Sequence, residues 1–387
     1  MDGSALALAL TVAARGPYTP TAMPPRWRPI LSRIEPYVPP PPLERLEAEL
    51  GRPVIRLSAN ENPLGPSPRA VEAIHAAAAR IHLYPDGGGP VLRETVAAAL
   101  GLTPAHVTLG NGGDEILTLI ARALLEPGDE VVVPDPAFEP YTTTALLAGA
   151  TVVRSPLRDY RIDLDDVLGR VTARTQLVCL SSPHNPTGTA LPRDAWERFA
   201  ARCPDTVLIL LDEAYVDFVE EPAATADGLA TLRARPDGLV LLRTFSKIAG
   251  LAGLRVGYAI GAPAAIEALD RTREPFNVGR LAQAGAVAAV GDTAHREATR
   301  RLVWAEKRTL YAAFEARGLF YVPTDANFLI VRLDRDSGPV VAAMRTRGVL
   351  VRDGVAVGLP RHLRISIGTA AQNREMLAAL DAALARR

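Results

Sequence analysis

Five short runs of β-rich apolar residues, each bounded by glycine, proline or aspartate, restrict this chain to few folds. They fall at 131–133, 150–153, 176–180, 207–211 and 239–242. Helix-length segments separate several of them, at 115–125, 140–147 and 193–201. A strand that is apolar along its whole length has to be covered on both faces, and strands joined through helices run parallel. The pattern predicts an α/β fold, a mostly parallel central sheet sandwiched by helices, with its chemistry on loops at the C-terminal ends of the strands.

After about residue 275 the pattern changes. A long Ala-rich helical region at 281–317 precedes strands at 328–331 and 363–367 and an amphipathic helix at 372–385. Strands and helices in separate blocks predict a small α+β domain. A chain of 387 residues is long enough for both. We place the large domain at 66–275 and the small one at 276–387. The proline-rich residues 23–65 read as an arm returning to the small domain or to a second subunit. Residues 1–22 read as a disordered extension. Its 5–10 stretch resembles a signal-peptide core, but Asp2 stands where the basic segment belongs, and Met23 is a candidate natural start.

Charge and cysteine content narrow the partners. Lys+Arg 43 against Asp+Glu 43 leaves no basic field for nucleic acid or an anionic membrane. No apolar run reaches transmembrane length. Cys179 and Cys203, the only cysteines, lack metal-ligand spacing, so we expect reduced, buried thiols in a cytoplasmic protein and no bound metal. Small molecules are the expected partners.

Several site motifs are missing: a Walker A loop, His-Glu-x-x-His and Gly-x-Ser-x-Gly. Gly110-Asn111-Gly112-Gly113-Asp114-Glu115 does not complete the dinucleotide fingerprint, because Glu115 stands where the third glycine belongs. The turn still suits an anion, since its glycines admit close backbone approach and a helix opens at Asp114-Glu115. A plain strand-to-helix turn is the alternative. Ser246 and Arg255 could close the cradle from another loop, which favours phosphate.

Three further features carry chemistry. Lys247, in Thr244-Phe245-Ser246-Lys247, stands among small hydroxyls after an apolar run with Arg255 close behind, a setting for an amine that reacts. Asp212 follows five apolar residues, a costly place for a carboxylate without a cation. Three readings stay open for it: the partner of a protonated cofactor ring, a helix N-cap, or a metal ligand. Asn185, in Ser182-Pro183-His184-Asn185-Pro186-Thr187-Gly188, is either a rigid donor to a ligand or a turn cap, and Tyr215 offers a second donor. His184 has no acidic orienter in sequence and reads as loop packing.

In combination and order, these motifs resemble the fold type I pyridoxal-phosphate aminotransferases, and within them the histidinol-phosphate group. Ser58-Ala59-Asn60-Glu61-Asn62-Pro63-Leu64-Gly65-Pro66-Ser67, Tyr84-Pro85-Asp86 and Gly253-Leu254-Arg255 add to the match, which runs from about residue 34 to the C-terminus. The resemblance implies pyridoxal 5'-phosphate as cofactor, held covalently by Lys247, with Asp212 on its pyridine nitrogen and Asn185 and Tyr215 on its phenolic oxygen. Gly112, Gly113, Asp114, Thr244, Ser246 and Arg255 would surround its phosphate, with Tyr84 arriving from the other subunit of a homodimer. Phe138 falls where the family usually stacks a tyrosine. Arg364 matches the arginine that grips an α-carboxylate, and Arg352 and Tyr37 match positions holding a substrate phosphate. The implied reaction exchanges an amino group between histidinol phosphate and 2-oxoglutarate in histidine biosynthesis. Transamination of phenylalanine or tyrosine, and decarboxylation of threonine phosphate, are alternatives on the same scaffold.

Overall fold

The computed structural model describes residues 26–36 and 42–385, so the predicted extension at 1–22 and Tyr37 lie outside the described residues. The chain divides into two units after Tyr37. Of the first, the described part holds one 3-10 turn, Pro29–Arg33.

The second unit holds all the strands. In chain order they are β1 (Ile55–Leu57), β2 (Val107–Gly110), β3 (Glu130–Asp135), β4 (Thr151–Pro156), β5 (Thr175–Ser181), β6 (Leu208–Asp212), β7 (Leu239–Thr244), β8 (Gly257–Gly261), β9 (Tyr321–Val322), β10 (Phe328–Arg332), β11 (Val349–Asp353) and β12 (His362–Ser366). A seven-stranded sheet has the order β2-β8-β7-β6-β5-β3-β4. Only β8 is reversed in it; every other strand points the same way. Each of the five apolar runs falls on one of β3 to β7. This is the mostly parallel α/β sheet that the runs predict.

Alternation along these strands feeds two cores. Ile209 and Leu211 of β6 join Trp196 and Phe199 on one face, while Leu210 and Val240 join Ile116 and Tyr141 on the other. The helix Arg193–Arg202 buries Trp196 and Phe199, three residues apart on one side. The helix Gly113–Leu124 buries Ile116, Leu119 and Ile120 on the other. The one polar atom of Trp196, Nε1, donates to Thr231 Oγ1 at 2.8 Å, so its burial leaves nothing unpaired.

The second sheet has the order β1-β11-β12-β10-β9, parallel at β1–β11 and antiparallel elsewhere. The sequence reading foresees only β10 and β12 of its strands. β1 and β9 are three and two residues long, too short to show a period, whereas β11, at five, is as long as the two foreseen. The helical region expected at 281–317 is two helices, Arg280–Val290 and Thr293–Glu315. Asp292 divides them. Its carboxylate accepts the His295 backbone N–H at 3.2 Å and the Ser67 hydroxyl at 2.6 Å, which starts a new helix instead of continuing the old one. The longer helix turns Val303, Leu310 and Phe314 onto the sheet, against Phe328, Leu329 and Leu363. Among the described residues no helix is long and apolar enough to cross a membrane.

Phe314 is wholly buried in that second core. Phe314→Ala should cost about 3–5 kcal/mol of stability through lost burial and the cavity left behind. The urea midpoint should fall at unchanged slope; a variant as stable as the parent would show that this helix does not anchor the sheet.

Candidate active site

Six of the seven strands of the large sheet point one way, and five of them end where the candidate residues begin. Gly112 to Asp114 follow β2, Phe138 follows β3, Asn185 follows β5, Asp212 ends β6 with Tyr215 just beyond, and Thr244 ends β7 ahead of Ser246 and Lys247. A cavity of about 250 Å³ opens there, lined by Asn185, Asp212, Tyr215, Ser246, Lys247 and Arg255 among others. A second concavity of about 310 Å³, beside Arg161 and Phe199, gathers none of the candidates.

One end of the cavity is built for an anion. Gly112 has φ +79, and a Cβ there would lie 2.4 Å from Arg255 Nη2, so only glycine lets the guanidinium lie against the turn. The helix Gly113–Leu124 begins at this point with no side chain capping it, so its first N–H groups remain free. Arg255, itself left-handed at φ 50, donates from Nη2 to the Asp114 carboxylate at 3.1 Å. The Asp114 side chain therefore steadies the arginine, and what that residue offers an anion is its backbone N–H. Thr244 Oγ1 accepts the Ser246 backbone N–H at 3.0 Å and donates to Ser246 Oγ at 2.9 Å. This leaves the Ser246 hydroxyl hydrogen free for the cavity.

The other end holds a carboxylate with no cation. Asp212 Oδ2 accepts the Tyr141 hydroxyl at 2.7 Å and Oδ1 accepts the Ala214 N–H at 2.9 Å. Burial pushes the Asp212 pKa up to about 6, against the pull of those two donors, and the negative charges of Asp114 and Glu213 add to the rise. Burial also holds the Tyr141 hydroxyl well above its ordinary pKa, so it stays a donor. Lys247 reaches across from β7, donating from Nζ to the Ala59 carbonyl at 3.1 Å and standing 5.6 Å from the Tyr215 ring centre.

Arg364 reaches the cavity through Asn185, whose Oδ1 accepts its Nη1 at 2.6 Å; its Nη2 donates to the Ser58 carbonyl at 3.1 Å. Its Nε is buried without a partner, and its guanidinium lies 5.4 Å from the Phe328 ring centre. Arg352 is its register partner across β11 and β12. Burial lowers the Arg364 pKa, and the charge of Arg352 lowers it further. Phe138 lines the cavity and meets Tyr141 edge to face, with ring centres 5.6 Å apart. Tyr84 does not line it. That side chain is 78% exposed and stacks on Phe276 at 4.7 Å.

His184 is wholly buried, as loop packing requires, and burial lowers its pKa to about 4. Its Nε2 lies 3.0 Å from the Pro136 carbonyl, which can only accept, so Nδ1 is bare and takes the Ser181 hydroxyl at 2.9 Å. Sequence reasoning passed over Tyr141 and Asn60, although Asn60 stands inside a motif it quoted and Tyr141 inside the helix-length segment 140–147. Tyr141 is one helical turn beyond Phe138, a spacing that returns it to the same side. Asn60, whose Nδ2 donates to Tyr215 Oη at 3.0 Å, gave no signal beyond its place before Glu61-Asn62-Pro63.

Known proteins resemble the chain along almost its whole length. The sequence pattern of the family described as aminotransferase class I and II matches residues 52–380. A histidinol-phosphate aminotransferase of Moorella thermoacetica is 45% identical over 372 residues, 96% of this chain and 96% of that protein. Another, of Symbiobacterium thermophilum, is 44% identical over 358 residues, 92% of this chain and 98% of that protein. The crystal structure of histidinol-phosphate aminotransferase from Sinorhizobium meliloti in complex with pyridoxal-5'-phosphate has a TM-score of 0.84 and 31% identity, covering 94% of this chain and 98% of that one. The architecture is that of the fold type I enzymes, and the chain belongs to the class I and II aminotransferase family.

Proposed function

We propose that this chain binds pyridoxal 5'-phosphate and transfers an amino group between histidinol phosphate and 2-oxoglutarate. The observation that carries the cofactor reading is Asp212, a buried carboxylate without a cation, in a cavity that also holds an anion cradle and a lysine. A protonated pyridine nitrogen supplies the missing cation, and the cofactor's phosphate suits the turn that Gly112 opens to Arg255. When bound, the cofactor supplies an electron sink for the pair left behind as a substrate C–H bond breaks.

The chain's own residues do the rest. Lys247 Nζ would hold the cofactor covalently and, as a free amine, would move the proton at the substrate's reacting carbon. Asp212 would keep the ring nitrogen protonated, and Tyr215 and Asn185 would offer donors to the phenolic oxygen. Phe138 would pack on the ring. Gly112, Gly113 and Asp114 give backbone N–H groups to the phosphate, beside Thr244, Ser246 and Arg255. The exposed apolar side chains Ile81, Leu83, Tyr84, Val91 and Phe276 support a homodimer in which Tyr84 reaches the phosphate in the other subunit. Buried free thiols at Cys179 and Cys203 support a cytoplasmic location.

The arginines support the substrate. Arg352 and Arg364 face each other across neighbouring strands, where like charges repel, and anions between them relieve that cost. Arg364 suits the α-carboxylate of glutamate or 2-oxoglutarate, and Arg352 suits the phosphate of histidinol phosphate. Phenylalanine would leave Arg352 without a partner. His184 does not line the cavity.

Three experiments test the reading. Lys247→Ala should lose both the yellow colour of the bound cofactor and turnover; a variant keeping both would falsify the assignment. Arg352→Gln should raise KM for histidinol phosphate by about tenfold or more, the worth of one charge-assisted hydrogen bond, and leave KM for phenylalanine nearly unchanged. Equal effects on the two would sink the phosphate role, and kcat/KM favouring phenylalanine or threonine phosphate would replace the substrate.

The third concerns pH. The Asp212 pKa of about 6 in the cofactor-free fold lies above its ordinary 3.8, so this group favours folding most below about pH 4 and loses that advantage as pH rises through 6. The buried charge then costs roughly 3 kcal/mol, of which roughly 1 kcal/mol is lost between about pH 5 and about pH 8. Cofactor-free Asp212→Asn should therefore gain stability relative to the parent over that interval in urea titrations. A difference independent of pH would show that Asp212 is not held against its charge.

A further inference from the structure

We propose that Asn60 is a positioning residue that fixes the Tyr215 hydroxyl as a hydrogen-bond donor into the active-site cavity, and that Ser366 on β12 in turn fixes Asn60. The inference rests on the cofactor reading above. It assigns Asn60 and Ser366 a part in setting the proton affinity of the bound cofactor.

A tyrosine hydroxyl can point its single hydrogen either way, and a lone neighbour decides the direction. Here the neighbour is the Asn60 amide, whose Nδ2 lies 3.0 Å from Tyr215 Oη. An amide NH2 has no lone pair to offer, so the phenol oxygen accepts and its hydrogen is left for another partner. Tyr215 is 6% exposed, lines the cavity, and is braced edge to face on Phe328 with ring centres 5.0 Å apart. Its free hydrogen can therefore be spent inside the site.

The amide could serve this purpose only if it cannot turn over, and Ser366 prevents that. Ser366 Oγ accepts the Asn60 backbone N–H at 2.8 Å and donates its own hydrogen to Asn60 Oδ1 at 3.2 Å. If the amide were flipped, the Ser366 hydrogen would face an NH2 group and lose its acceptor in a place that is 2% exposed. The Asn60 carbonyl is engaged too, accepting Asn327 Nδ2 at 3.0 Å. Asn60 holds a left-handed backbone, φ 55, which few side chains tolerate and which aims its amide at Tyr215.

The residues on either side extend the same function. The Ser58 carbonyl accepts Arg364, the Ala59 carbonyl accepts Lys247 Nζ, and the Asn60 side chain holds Tyr215. Three consecutive residues thus set the places of a carboxylate binder, the reactive amine and a phenol donor. Ser366 lies two residues along β12 from Arg364, so the strand that carries the arginine also carries the orienter of Asn60.

The test reads the pH at which the bound cofactor changes colour. A donor on the cofactor's phenolic oxygen competes for it with the protonated nitrogen beside it, so the donor lowers that pH and its loss raises it. Asn60→Asp replaces the NH2 by an acceptor, turning the Tyr215 hydrogen away, and should raise the midpoint by about one pH unit. In a Tyr215→Phe background the same substitution should move it far less, because only the added charge remains. An equal rise in both backgrounds, or a Tyr215→Phe midpoint identical to the parent's, would overturn the proposal. Ser366→Ala, which frees the amide to turn, should give a smaller rise that also vanishes without the Tyr215 hydroxyl. It carries the test if thermal melting shows that Asn60→Asp does not fold, and a midpoint unmoved by it then counts against the proposal. Failure of the parent protein to form a coloured complex at Lys247 would overturn the cofactor reading itself and this proposal with it, and it is seen before any variant is made.

Discussion

Two carboxylates stand side by side at the end of β6, both buried, and the fold treats them differently. Glu213 receives a guanidinium, Arg243 Nε donating to its Oε2 at 2.8 Å. Asp212 receives only neutral donors, a phenol and a backbone N–H. A buried charge without a counter-charge is among the costliest arrangements a protein can keep, and the neighbouring pair shows that an arginine can be provided here. The neutral protein surroundings of Asp212 are thus a specific feature of this fold. The strands and helices around it supply what a bound cation with an anionic tail would need, and they leave the cation itself to come from outside.

The site is assembled from both sheets, so its accuracy depends on how they are tied together. Residues 58–60, just after the edge strand β1, make that tie by touching side chains from β12, from the loop after β6 and from the loop after β7. Two of the six non-glycine residues with positive φ among the described residues serve the site. Asn60 and Arg255 both hold left-handed conformations, and each presents a polar side chain to the site from that position. Strain of this sort persists only where surrounding bonds over-determine it, and Asn60 has every polar group engaged.

Much of the architecture could be read from the chain because it rests on local pattern. Continuous apolar runs gave the parallel sheet, since a strand buried on both faces has no polar side to show. Lys247, Asp212 and Asn185 were visible because each follows such a run and their residue types are costly or unusual there, and the Gly112 turn because its glycines stand together ahead of an acidic helix start. The short strands β1 and β9 carry no period of their own and exist only through their neighbours. The break at Asp292 escaped notice because an aspartate in an Ala-rich helical stretch is unremarkable until Ser67, far away in sequence, is seen to hold it. Tyr141 and Asn60 were missed for a related reason. Their importance lies in which atom they face, a long-range property that neither spacing nor composition records.

The reversal of β8 has a consequence for how the site tolerates change. Because β7 and β8 form an antiparallel pair, with Thr244 opposite Gly257, the chain between them turns back at the reactive edge of the sheet. A parallel crossover would have carried it away over a helical layer. One loop therefore delivers both the amine, near its start, and the guanidinium that clamps the anion cradle, near its end. Their separation is set by the hairpin's register and not by the packing of two independent elements. An insertion or deletion in this loop would alter the distance between covalent anchor and phosphate clamp directly, whereas the loops after β3 and β5 can vary while that distance stays fixed.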